Sequence, residues 1–100
     1  MPETIKLSPA EIEKQFITLN QSTKDKWQLV NGKLHKQFVF KDFIHAMAFM
    51  KKASEQAETM NHHPEWCNVY NQVTIDLITH SIGGLSSLDF KLAIKLEQLS

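Results

Sequence analysis

The chain contains one cysteine, Cys67, so it can form no intrachain disulfide and offers no cysteine-rich zinc site. A lone thiol fits a reducing compartment, and a cytoplasmic location is the expectation. Glycine and proline are scarce, three of each in 100 residues, which leaves no linker composition anywhere. Residues 1–100 therefore read as a single domain, long enough to bury roughly two thirds of its unfolded surface. No apolar run approaches the ~20 residues that cross a bilayer, and MPETIKLSPAEIEK lacks the apolar centre of a signal peptide, so no membrane association is expected. Neither sign of charge is in excess, with eleven Lys and Arg against eleven Asp and Glu. The longest basic run is Lys51-Lys52, which argues against nucleic acid as a partner.

What the chain does have is pattern. Ser8-Pro9-Ala10-Glu11 carries a capping box with proline at the first helical position. Ile12, Phe16 and Leu19 then mark one helical face, and Asn20-Gln21-Ser22 ends it. WQLVNGKLHKQFVF predicts a hairpin on a two-residue Asn31-Gly32 turn, with Leu29 facing Leu34 and with Trp27, Phe38 and Phe40 on the same side. His35 falls on the opposite face, with Gln37. Asp42 is placed to cap a helix running to about Met60, with Phe43, Ala46, Met47, Met50, Ala53 and Ala57 as its buried stripe. His45 falls in the first turn as polar surface.

A second strand pair, WCNVY and VTIDLITH, is joined around Asn71-Gln72, with Val73, Ile75, Leu77 and Thr79 on the core face and His80 closing the other. Ser86 caps a third helix with Asp89 in capping-box spacing, and Leu88, Leu92, Leu96 and Leu99 form its stripe. Phe90, Ala93 and Ile94 widen that face enough for both the sheet and a partner chain. The order αββαββα predicts an α+β fold: a four-stranded antiparallel sheet with three helices on one face. Its edges and the third helix both suit self-association.

The candidate chemistry lies in ETMNHHPEWCNVY, Glu58–Tyr70, with His80 beyond it. Adjacent residues such as His62 and His63 tend to point apart, and Glu58, Cys67 and His80 add no standard ligand spacing, so no metal is expected. Cys67, just inside a strand and opposite Trp66, reads as an ordinary small apolar residue. General acid–base work suits histidine, whose ordinary pKa of ~6.5 lets one ring give a proton while another takes one. Glu58 can orient such a ring, Pro64 stiffens the loop, and Trp66 offers a flat wall. The alternative is a polar loop whose histidines have no task.

Glu58-x-x-x-His62-His63-Pro64-x5-Tyr70-x9-His80-x8-Asp89, together with the words HHPEW, NVYN and GLSSLD, resembles the signature of the pterin-4a-carbinolamine dehydratases. The resemblance spans essentially the whole chain. It implies dehydration of 4a-hydroxytetrahydropterin to quinonoid dihydropterin and water, which recycles the tetrahydropterin of aromatic amino-acid hydroxylases. It implies a pterin as substrate and no cofactor. By this similarity His62 and His80 flank the reacting edge as proton donor and acceptor, and His63 holds the pterin. His63 stands with His62 and His80 in the catalytic set, and Glu58 supports the histidine pair. Trp66 forms a wall, Pro64 is among the substrate-binding residues, and the backbone around Asn61 and Thr79-His80-Ser81 binds pterin edges.

Asp89 is either a helix cap or an orienter of the site. Asn61 stands where animal members commonly have aspartate, and Ser81 where glutamate occurs, which bears on the pH optimum. The resemblance also implies a homodimer or homotetramer. It allows two alternative roles: a dimerisation cofactor that binds a regulatory protein through a helical face, or a dehydratase of another pterin, as in molybdopterin metabolism.

Overall fold

The first helix, α1 (Pro9–Gln21), begins at the anticipated capping box. The Ser8 N–H donates to Glu11 Oε1 at 2.9 Å, and the Glu11 N–H donates to Ser8 Oγ at 3.2 Å. That first bond holds the Glu11 carboxyl below the usual carboxylate range. The computed structural model describes residues 5–21 and 23–100. Ser22, in the predicted end of the first helix, and residues 1–4 of the N-terminal reading lie outside these.

Strands β1 (Gln28–Val30) and β2 (Lys33–Val39) meet across a turn whose central residues, Asn31 and Gly32, have φ of 52° and 76°. Both angles are the positive values a type I′ turn demands, and they bring Leu29 opposite Leu34. The alternation of β2 buries Leu34, Lys36 and Phe38. Lys36 is a charge on the core side, and it is fully engaged there. It pairs with Glu97, donates to the Asp25 carbonyl at 2.7 Å and lies 4.6 Å from the centroid of the Phe38 ring. The Trp27 indole N–H donates to the same Glu97 carboxylate at 2.9 Å.

Asp42 caps α2 (Phe43–Met60) by accepting from the His45 N–H at 2.9 Å. The buried line is Ala46, Phe49, Ala53 and Ala57; Phe43, expected in it, is exposed. Phe49 takes the place because it falls three residues after Ala46 and four before Ala53, on one helical face. Its ring then packs on Phe38 and Phe40, with centroids 5.1 and 4.8 Å apart.

Strands β3 (Glu65–Val69) and β4 (Gln72–Leu77) complete an antiparallel sheet of order β1-β2-β4-β3. Val69 pairs with Gln72, so the turn residues are Tyr70 and Asn71, one position earlier than the pattern predicts. Tyr70 has φ of 53°, and the Asn68 amide braces the turn by donating to the Tyr70 and Gln72 carbonyls at 3.0 and 2.9 Å. A second correction concerns His80. β4 ends at Leu77, and His80 opens a 3₁₀ turn (His80–Ile82) in place of closing the strand.

Val73, Ile75, Leu77 and Leu34 of the sheet form one core cluster with Ala46, Phe49 and Ala53 of α2 and with Phe90, Leu92, Ala93 and Leu96 of α3 (Ser87–Leu99). The αββαββα order and the one-sided packing are as expected. The leucine stripe of α3 is used inside the chain, since Leu92 and Leu96 are fully buried; Leu88 and Leu99 are half-buried and Ile94 is exposed. Among the described residues no helix is long and apolar enough to cross a membrane.

Candidate active site

The site begins where α2 stops. Asn61 sits in the left-handed region, φ 50° and ψ 42°, which asparagine tolerates better than most residues. Its N–H donates to the Glu58 carbonyl at 3.1 Å, and the His62 N–H reaches back to the Ala57 carbonyl at 3.0 Å. These two bonds form a Schellman ending, which turns the chain sharply and sends His62 inward. His62 is buried and His63 is exposed.

Inside, His62 Nε2 lies 2.6 Å from Asp89 Oδ1, and the Asp89 side chain is wholly buried. The other oxygen, Oδ2, accepts from the Thr79 hydroxyl at 2.8 Å and from the Ser86 N–H at 2.9 Å. Because the Thr79 hydrogen is committed to Asp89, the Ser86 hydroxyl, 2.7 Å away, donates to Thr79. The Leu88 N–H in turn donates to Ser86 Oγ at 3.3 Å. This chain joins the helix start to the imidazole, and each bond polarises the next. Asp89 thus caps α3 through one oxygen and meets the His62 imidazole through the other, as its two carboxylate oxygens allow.

At the surface, His63 Nε2 lies 2.8 Å from Glu58 Oε1, one turn back on α2. His63, Glu58, Pro64 and Trp66 line a surface pocket of about 610 Å³; His62, Thr79, His80, Ser81 and Asp89 do not. His80 Nε2 lies 3.0 Å from Glu65 Oε2. The 3₁₀ turn that carries it is closed by paired Thr79 and Gly84, with the Thr79 N–H donating to the Gly84 carbonyl at 3.0 Å. Thr79 is buried while its neighbours His80 and Ser81 are exposed. Among the described residues, no three His, Cys, Asp or Glu side chains are grouped so as to hold a metal ion. Cys67 is exposed on the sheet's open face.

Residues 5–99 match the family described as Pterin 4 alpha carbinolamine dehydratase. The chain belongs to that family. It is 52% identical over 97 residues to a provisionally named pterin-4-alpha-carbinolamine dehydratase of Solibacter usitatus, covering 97% of each chain. A similarly named protein of Synechococcus is 49% identical over 78 residues, 78% of this chain and 84% of its own. Among solved structures, a transcriptional coactivator/pterin dehydratase from Brucella melitensis superposes with a TM-score of 0.85 at 39% identity, covering 95% of this chain and 98% of that one.

Within this dehydratase family fold, the candidate residues fall into a buried and an exposed group. His62, Thr79 and Asp89 meet inside, and His63 and Glu58 meet at the pocket. His80 joins neither through a direct hydrogen bond; it is held by Glu65. Glu65 is the residue that the spacing of histidines did not single out. Strand alternation puts it on the sheet's open face, but only the 3₁₀ turn brings His80 to it.

Proposed function

We propose that this chain dehydrates a pterin-4a-carbinolamine to the quinonoid dihydropterin and water by histidine general acid–base catalysis. One observation carries the reading beyond family membership. Each of three imidazoles, at His62, His63 and His80, has its Nε2 against a carboxylate, at 2.6, 2.8 and 3.0 Å. That arrangement leaves Nδ1 of each ring as the nitrogen available for substrate. It also selects the tautomer of the neutral ring, since a carboxylate at Nε2 accepts from that N–H and leaves Nδ1 free to take a proton, while the ring that acts as acid carries a second proton on Nδ1.

The reaction needs only proton movements. One ring gives a proton to the C4a hydroxyl, which departs as water with the C–O electron pair. Another takes the N5 proton, and the freed pair closes the C4a=N5 bond. No nucleophile is required. We assign the transfers to His62 and His80. His63, with Glu58, Pro64 and Trp66, binds the flat ring in the adjoining pocket, and the backbone at Asn61 and Thr79-His80-Ser81 meets its polar edges.

The test is a rate measurement on synthetic 4a-hydroxytetrahydropterin. Each single alanine variant at His62 or His80 is expected to lose roughly 10²-fold or more in kcat. Wild-type rates in the double variant overturn the reading. The same assay with other 4a-hydroxypterins separates recycling for aromatic amino-acid hydroxylases from service to another pterin.

A second reading, as an interaction module, draws on the similarity to the Brucella transcriptional coactivator/pterin dehydratase and on exposed Phe43 and Ile44 at the start of α2. Of the α3 leucines, Leu92 and Leu96 are spent in the core and leave only half-buried Leu88 and Leu99 for this role. Light scattering over a concentration series would detect a homodimer or homotetramer, and loss of assembly in Ile44→Asp would assign the α2 start to it.

A further inference from the structure

The open face of the sheet carries a row of charge that family membership does not explain. His35 of β2, Asp76 of β4 and Glu65 of β3 stand side by side in register. Two carboxylates directly across from one another repel. Here each has a cationic or titratable partner: His35 Nδ1 lies 2.8 Å from Asp76 Oδ1, and Lys33 Nζ lies 2.6 Å from Glu65 Oε1. The second oxygen of Glu65 faces His80 at 3.0 Å. Glu65 therefore bridges a lysine fixed at the start of β2 and an imidazole on an exposed turn.

We propose that Glu65 positions the His80 imidazole for proton transfer, and that Lys33 moderates it by holding the other oxygen. The inference rests on the assignment of His80 to the dehydration. The His80 imidazole has 70% of its surface exposed, and the Glu65 carboxylate 3.0 Å away is what sets its ring. The hydrogen bond from Lys33 holds the Glu65 carboxyl below the usual range, with a smaller contribution from His80. The Lys33 ammonium is correspondingly raised, first by Glu65 and more weakly by Asp76. Glu65 is thus an anion at neutral pH, and its charge is shared between two partners.

The sharing makes two substitutions act with opposite sign. Glu65→Gln keeps the shape and removes the charge that favours protonated His80, so the pH–rate profile moves to lower pH. The direction is the same whether His80 serves as acid or base. Lys33→Met removes a nearby cation and frees Glu65 for His80, so the profile moves to higher pH. We expect kcat to fall roughly tenfold in Glu65→Gln with KM little changed, and Glu65→Asp to restore part of it.

Two variants shifting in the same direction, or an unmoved profile and kcat in Glu65→Gln, overturn the proposal while leaving the dehydratase reading intact. If the wild-type chain does not turn over the carbinolamine, that reading fails. The His80 ring-proton resonance, titrated by NMR in the same full-length variants, then decides: midpoints displaced in opposite directions support the bridge, and unmoved or like-signed midpoints overturn it. Both substitutions lie at the surface, and unchanged thermal midpoints exclude misfolding as the cause.

Discussion

His62 and His63 are neighbours in sequence and live in opposite environments. The His62 side chain is 9% exposed and meets a carboxylate that is 0% exposed; His63 is 57% exposed against a partner at 79%. The buried pair is reinforced by Thr79, Ser86 and the backbone of α3, so its geometry is over-determined. The exposed pair shares its atoms with water and is free to re-form around a ligand. One ring is a fixed instrument and the other an adaptable contact. The division suits a site that must both aim a proton and admit a substrate.

The sharpest way to break the comparison is to remove each carboxylate. Asp89→Ala strips the imidazole, the Thr79 hydroxyl and the Ser86 N–H of one shared acceptor, and is expected to cost about 3–5 kcal/mol in urea unfolding. Glu58→Gln, on the exposed side, is expected to cost under about 1 kcal/mol and to act on KM if it acts at all. Similar losses in the two would mean that burial does not separate the histidines.

A smaller effect should follow from the turn that parts them. Asn61→Ala keeps a β-carbon in the left-handed region but loses the amide that makes asparagine tolerant of it, and should cost about 1 kcal/mol, while Asn61→Gly should fold about as well as wild type. If Asn61→Ala also lowers kcat, the Schellman turn contributes to aiming His62.

The smallest effect concerns acid. Glu11, Asp42 and Glu65 are each held below their ordinary range, by the Ser8 backbone, the His45 backbone and Lys33 respectively. A carboxyl lowered on folding contributes stability above its unfolded pKa of about 4 and loses it as pH falls through the folded value. Thermal midpoints should therefore decline from about pH 4 downwards, and less steeply in Glu65→Gln.

Much of the framework was legible in residue order. The capping boxes at Ser8 and Ser86, the Asp42 cap and the Asn31-Gly32 turn are local chemistry, complete within four residues. The αββαββα order and the core faces of β2 and β4 follow from period and spacing, whereas the candidate set from Glu58 to Asp89 is drawn from the family resemblance. Two of the misreadings are cases where a distant contact prevailed. Phe49 displaced Phe43 because its ring packs on Phe38 and Phe40. His80 left the strand because Thr79 pairs with Gly84.

By itself, then, the sequence determined the elements and their order, since capping, turn formation and periodicity act over a few residues. Which histidine is buried and which carboxylate each one meets were decided only in three dimensions. Asp89 lies 27 positions from His62, and Glu65 lies 15 from His80. Hydrogen bonds act over about 3 Å, and no local rule says which side chains packing will bring that close.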